Sequence, residues 1–418
     1  MSQTEVQLIK ADAVQTADIA NSAVTDAKIT ALTSSKLTGA LPAISGAALT
    51  GISSAGKARN LVVNGAMNVA QRGTSSTSNG YATVDRMSEG EGGLDETCTQ
   101  SQITLGSSDV GPYAKGFRKA YRIQNGNQTS GAGATDFIRI EYRIEAQDIA
   151  NSGWDYTNSS SNISLQFWVR SSVAQNFYFI VNSVDGTARS YPMETGSLSA
   201  GTWTKITKTI PGDSSLQFDN DVNEGFTVFF YIYLGTNYAD NSVSLNAWKN
   251  VGNPQTPINT TTWFTTNDAT WDITGFQIEV GDSATDFEHL SYADELIKCM
   301  RYYQIVIMSG HPAGGGQTGG LGGTMYSNGS SIYCPYRFPV EMRAEPSVIS
   351  SSGTGSGDGT FRTRLGDNHS FNNFTGFNDG NAQSGTFITN GNASGGSVGD
   401  YVWIETNSGA KLALDAEL

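Results

Sequence analysis

The sequence predicts an all-β protein: an extended intertwined N-terminal stalk, a jelly-roll β-sandwich body, a short joint helix and a C-terminal β-rich tip domain. Three observations point there. The 418 residues include 48 Gly, 17 Tyr and 18 Phe but only 15% charged side chains. Glycine serves turns, while aromatic and β-branched side chains serve strands. Between residues 57 and 290, stretches such as SLQFWVR and ITKTIPG alternate apolar with polar residues, as half-buried antiparallel strands do. Residues 1–56 depart from both patterns, with no aromatic residue and much Ala, Ser and Thr.

The stalk follows from a spacing in that first segment. Val14, Ile19, Val24 and Ile29 recur every five residues. Five residues on an α-helix advance about 140° beyond a full turn, and on a strand they alternate faces. Neither lone element gathers these side chains into one stripe. Partners on several sides would bury them, most simply three chains about one axis; the competing reading is a flexible linker.

The body, 57–290, offers strand candidates at 120–123, 137–144, 163–169, 177–181, 203–210, 226–234 and 271–280. Eight or so strands with turn-rich links suggest a jelly roll. Trp154, Trp248 and Trp263 lie outside these runs. An exposed ring beside polar groups can stack on a sugar face, so these three are candidate glycan-stacking residues. The plain alternative is that they plug the ends of the sandwich. Glu89, Glu91, Asp95 and Glu96 could form a calcium loop or a glycosidase pair, but a solvated loop fits better because a tight D-x-D-x-D pattern is absent. A structural Ca²⁺ is therefore not predicted, and no cofactor is called for.

The joint begins where Phe276, Ile278 and Val280 alternate with Gln277 and Glu279, and Gly281-Asp282 signals a turn. Ser291 stands at an N-cap, with Asp294 three residues on and Glu295 beside it. Leu296, Met300 and Tyr303 follow at helical spacing, which predicts a helix over 291–304. The tip, 305–418, is richer still in Gly, Ser and Asn. Two stretches of it, 309–324 and 366–385, read as loops. The first lacks the G-K-[ST] of a phosphate loop. The second spaces Phe371, Phe374 and Phe377 three apart among Asn and Asp, the mixture that adaptable recognition loops use. Asn372, Phe374, Phe377 and Asp379, with His369, are the candidate receptor-binding residues. Anchoring of these rings to their own domain is the alternative.

The joint string GFQIEVGDSATDFEHLSYADELIKCMRYYQ resembles the end of the body domain in tail fibre proteins of tailed bacteriophages. It keeps Gln277, Glu279, Gly281, Phe287, Glu288, Ser291, Tyr292, Glu295, Leu296, Cys299, Arg301, Tyr302 and Tyr303, and departs at Asp286 and Leu290. The opening of the body is similar to the same family through Asn60, Leu61, Asn64, Gly65, Gln71, Arg72 and Gly73, then through Tyr81, Asp85 and Arg86. Phe338, Pro339, Val340, Met342, Arg343 and Pro346 resemble an element of fibre tip domains, and the ADIANSAVTDAKI text resembles fibre stalks. The resemblance implies a virion protein assembled in the host cytoplasm as a homotrimer. Residues 1–56 would meet the phage tail or another virion attachment protein, and the C-terminal domains would meet a host cell-surface glycan. A polysaccharide-cleaving, tailspike-like enzyme on a jelly-roll scaffold is the alternative.

Charge narrows the partners. The formal net charge is −14, and no basic stripe suggests nucleic acid. No apolar run reaches the ~18 residues of a spanning helix, so no membrane insertion is expected. Cys98, Cys299 and Cys334 are far apart and odd in number, which suggests buried free thiols rather than a metal cluster. With three histidines, His289, His311 and His369, and no nucleophile motif, the chain reads as a binding protein and not an enzyme. The stalk reading predicts that mass measurement of the soluble protein gives three copies; a monomer at micromolar concentration would contradict it.

Overall fold

Every second side chain of one stretch, Ile163, Leu165, Phe167 and Val169, is buried, and so are Phe226, Val228, Phe230 and Ile232 in another. Two strands with one apolar face each must press those faces together. The computed structural model shows how. It describes residues 60–308, 318–328, 331–351, 361–365, 367–371, 374, 376–378, 380–389, 398–406 and 411–418. The predicted stalk, 1–56, lies outside the described residues.

The body contains β1 (Ser75–Ser76), β2 (Ser88–Gly92), β3 (Thr99–Thr104), β4 (Lys119–Gln124), β5 (Phe137–Glu145) and β6 (Asn162–Ser171). It continues with β7 (Asn176–Ser183), β8 (Arg189–Ser197), β9 (Thr204–Pro211), β10 (Glu224–Leu234), β11 (Lys249–Asn250) and β12 (Thr270–Val280). These make two antiparallel six-stranded sheets, ordered β1-β3-β4-β12-β6-β9 and β11-β8-β7-β10-β5-β2. The sheets face each other as a jelly-roll sandwich. Phe167 of the first sheet lies edge-on to Phe179 and Phe230 of the second, at 5.2 and 5.1 Å between centroids. Such edge-to-face pairs set the positive ring edge against the negative ring face.

Alternation alone did not reveal β8, because Pro192 and Gly196 interrupt it. Proline is tolerated there because the strand is nearly an edge: β11 pairs only with Ser190 and Arg189. A short helix α1 (Ala146–Ala150) follows β5, and α2 (Tyr292–Met300) follows β12. Ser291 Oγ accepts the Asp294 amide at 3.2 Å, as its position before the helix predicted. The helix is shorter than its spacing suggested. Arg301 is its C-cap, and Tyr303 opens a strand that pairs with Asp415; ladder pairing wins over helical periodicity at that residue.

Beyond α2 come β13 (Tyr303–Met308), β14 (Thr318–Asn328), β15 (Ser331–Arg337), β16 (Ser347–Ser351) and β17 (Phe361–Leu365). The last five are β18 (Asp367–Phe371), β19 (Gly376–Asn378), β20 (Ser384–Thr389), β21 (Tyr401–Thr406) and β22 (Lys411–Asp415). They form a three-stranded sheet, β13-β22-β16, and a seven-stranded sheet, β18-β17-β21-β14-β15-β20-β19. The two expected tip loops are thus corrected in part. Residues 318–324 belong to β14, and 366–385 contains β18, β19 and the start of β20. Their Gly- and Asn-rich text hid strands whose order comes from ladder partners and not from alternation. Residues Gly56–Leu418 form one compact unit.

Close backbone approach explains one glycine at the opening of the body. A Cβ on Gly65 would sit 2.0 Å from the Phe276 carbonyl oxygen. Gly65→Ala should therefore push β12 away and cost about 1–3 kcal/mol or more, read as a lower denaturation midpoint; an unchanged midpoint would refute this close fit.

Candidate functional site

The motif residues converge on one place, the junction between body, α2 and the last residues of the described chain. Asn60 accepts the Ile278 amide on its side-chain oxygen at 3.1 Å, and its own amide donates to Glu288 at 2.9 Å. Asn64, with φ +62°, holds its loop closed. Its side chain donates to the Val69 and Asp85 carbonyls and accepts the Val69 amide, each at 2.9 Å. The Asn64 amide donates to the Glu295 carboxylate on α2. Gln277 donates to Glu279 and accepts the Glu288 amide, while Glu279 accepts from Thr285. Phe287 and His289 pack around Phe117 and each other.

Deeper in, charge is buried. Arg86 is 1% exposed, ion-pairs with Glu417, and lies 3.5 Å from the Tyr302 ring centroid and 5.5 Å from that of Tyr142. Arg72 reaches Asp415 at 3.0 Å and Glu417 at 3.2 Å and stacks 3.8 Å over the Tyr303 ring. Gln71 bridges Asp85 to the Tyr303 carbonyl. Arg301 grips Glu145 with two bonds of 2.7 Å, and the Tyr302 hydroxyl donates to the same carboxylate at 2.7 Å. Burial pushes Glu145 up, but these hydrogen bonds prevail and hold it below the usual carboxylate range. Arg343 donates to the carbonyls of Ala416, Glu417 and Val222. The motifs at the opening of the body, in the joint and in the tip therefore serve the architecture, by tying the C-terminal sheets to the body.

The predicted contact residues lie elsewhere. Trp154 and Trp263 are 3% and 0% exposed in the body core, with indole nitrogens donating to the Ser161 and Thr270 carbonyls. They plug the sandwich, which corrects their assignment as sugar-stacking plates. Trp248 is half-buried, packs on Tyr191 at 5.1 Å and donates to the Pro211 carbonyl. Phe374 is buried in the C-terminal core against Phe361 and Phe387, a further correction. Phe377 is half-buried, stacked 6.1 Å from Phe338, and a Cβ on Gly385 would come within 2.1 Å of its ring. Both rings anchor their own domain. His369, in β18, pairs through its backbone with Thr363 of β17, whereas Asn372 and Asp379 lie outside the described residues. Of the five, the two with described side chains, Phe374 and Phe377, form no exposed patch.

The acidic cluster divides between β2, which carries Glu89 and Glu91, and the segment after it, which carries Asp95 and Glu96. Asp95 accepts from Ser130 and Thr129, and Glu96 accepts the Asn127 amide. Glu91 accepts the Cys98 amide, and Glu89 is buried with one carboxylate oxygen lacking a partner. Cys98, Cys299 and Cys334 are free and buried, as their spacing suggested.

A surface cleft that sequence reasoning missed opens in the C-terminal part. Tyr336 and Arg337 at the end of β15 line it, with Gln383, Ser384 and Thr386 at the start of β20; its volume is about 580 Å³. Only the F-P-V-x-M-R element next to it could have drawn attention there.

The fold is a jelly-roll sandwich joined to a second antiparallel β region. The chain matches no protein-family model and no curated protein. Among solved structures it is similar to the enzymatically active domain of bacteriophage CBA120 tailspike protein 4 at 8% identity, covering 53% of this chain and 21% of that one, TM-score 0.28. It is also similar to CBM22-1–GH10 modules of a Clostridium thermocellum endo-1,4-β-D-xylanase at 9% identity, covering 53% and 29%, TM-score 0.25. A third likeness is to the N-terminal cellulose-binding domain of Cellulomonas fimi β-1,4-glucanase C at 10% identity, covering 52% and 99%, TM-score 0.23. The chain thus spans between a fifth and a third of the first two structures. Likeness this distant carries no argument about what the chain binds.

Two outcomes follow from the buried charges. Arg86→Met leaves Glu417 with Arg72 as its one remaining cation and should cost about 1–3 kcal/mol in denaturant unfolding, and adding Glu417→Leu should cost less than the two single changes summed; strict additivity would deny the coupling. Burial, then the neighbouring Glu91 and Glu141, pushes Glu89 up to about 8 from 4.5. The folded state then holds a proton that the unfolded chain has released. This contribution is complete below about pH 4.5 and declines as pH rises toward 8. Glu89→Gln should flatten that decline in a melting series from pH 5 to pH 8; an unchanged slope would assign it to another group.

Proposed function

We propose that this chain is a structural fibre protein of a tailed bacteriophage virion. It attaches through its N-terminal residues and presents its C-terminal β region to a receptor on the host surface, most simply a glycan. One observation supports this reading above the others. Many of the residues that resemble fibre motifs, among them Asn64, Arg72, Arg86, Glu295, Arg301, Tyr302 and Arg343, tie the body to α2 and to the last described residues. A protein that must transmit contact from a distal domain to a particle needs such a coupling, whereas catalysis would need reactive groups held open to substrate.

The cleft beside Tyr336 and Arg337 supports the placement of recognition in the C-terminal region. It pairs a half-buried ring with an exposed cation and side-chain amide and hydroxyl groups. These can stack on and hydrogen-bond a sugar. Binding would leave the polysaccharide intact.

Three measurements on whole particles test the reading. Antibody to residues 57–418 should decorate a virion fibre and block adsorption, and Arg337→Glu, at an exposed position, should slow adsorption at least tenfold with an unchanged melt. Incubation with host polysaccharide should release no shorter products. Absence from the virion would end the fibre reading, and products that vanish when a body carboxylate is mutated would establish the enzyme alternative.

A further inference from the structure

A second cleft, of about 320 Å³, opens on the outer face of the sheet that carries β6, β9 and β12. Its volume falls near the lower end of the roughly 300–1,000 Å³ typical of ligand pockets. Trp168, on β6, is half-buried there, with Phe117 and Phe287 beside it. The indole is held by backbone on two sides. A Cβ on Gly111 would come 2.7 Å from its Cζ3, and one on Gly275 would come 3.1 Å from its Cδ1. An apolar plate fixed before binding loses little freedom when a ligand arrives.

The polar lining is incomplete. Gln166 lines the cleft and is 2% exposed. Its Nε2 donates to the Thr285 carbonyl at 2.8 Å, and its Oε1 is buried with no hydrogen-bond partner. His289 has one ring nitrogen engaged by the Lys115 carbonyl at 2.8 Å. Lys115 and Lys205 are exposed at the cleft, and neither joins an ion pair among the described residues, although the chain carries a net charge of −14. One carboxylate, Asp286, also lines the site.

We propose that this body cleft binds an acidic sugar, a pyranose bearing a carboxylate, within a surface polysaccharide. The inference rests on the glycan-recognition reading above and adds a second site with a stated chemistry. The C–H face of a pyranose matches the Trp168 plate. A ring hydroxyl supplies the donor that Gln166 Oε1 lacks, and burying that oxygen without one is costly. The sugar carboxylate meets the two lysines as a charge-assisted pair. A neutral sugar would use the plate and leave the lysines idle, and a small anion would leave the plate bare.

Calorimetric titration of the whole protein tests this with short oligomers of galacturonate, glucuronate and guluronate, and with cello-oligosaccharides of equal length as neutral controls. At least one uronate should bind, more weakly as salt rises and at least about tenfold more tightly than the neutral control. Trp168→Ala should weaken it by about tenfold or more. Lys205→Glu, at an exposed position, should do the same with an unchanged melt. Failure of all three uronates to bind, equal affinity for the neutral control, or binding indifferent to Lys205→Glu would overturn the proposal. Host-cell adsorption by the unmodified protein is measured alongside. Adsorption without uronate binding overturns the cleft alone, whereas loss of both counts against the fibre reading.

Discussion

A guanidinium with almost no access to water organises this molecule. Arg86 comes from the body and Glu417 from the last described strand's continuation, and they pair between the Tyr302 and Tyr142 rings. Removing an ion from water is expensive unless its partner and hydrogen bonds are well placed. Here they are supplied from several segments: Arg143 offers its carbonyl to Arg86, Arg72 shares Glu417, and Asp85 stands behind Arg72. Each segment must be in register before Arg86 is paired, and even then Arg86 Nε and Glu417 Oε1 are buried without a hydrogen-bond partner. The joint is thus a constraint on assembly as well as a contact.

That constraint gives meaning to features that look unrelated. The αL turn at Asn64 orients an amide toward Glu295 at the start of α2. The helix then delivers Arg301 to Glu145 and stacks Tyr302 on Arg86. Tyr303 starts the ladder with Asp415, and this brings Glu417 back to the body. In the fibre we propose, such a circuit would carry the C-terminal β region as a fixed extension of the sandwich. Clefts on the two regions would then keep a set spacing, which favours simultaneous engagement of one polymer.

Much of the body was legible. Apolar and aromatic runs located β5, β6, β10 and β12, although β10 and β12 are buried along nearly their whole length and not on one face alone. The Ser291 cap was legible because capping is local. The joint's chemistry was not: Arg86 and Glu417 are 331 residues apart, and Arg72 and Asp415 are 343 apart. The motif text marked those arginines without saying what they touch. The aromatic spacing of Phe374 and Phe377 misled for a related reason. Their neighbours in sequence are polar, but their neighbours in space are Phe338, Phe361 and Phe387. Trp168 escaped notice because it lay inside an alternating strand, where a ring on the outer face looks like any other strand residue.

If the buried charges make body and C-terminal region one cooperative body, they must unfold together. Native-state hydrogen exchange on the whole chain measures this directly, comparing amides of β10 in the sandwich with those of β15 and β22 beyond the joint. The account predicts one common opening free energy for the most protected amides of all three strands, and one denaturant transition by every probe. C-terminal amides that open at a distinctly lower free energy, with a separate early transition, would contradict it.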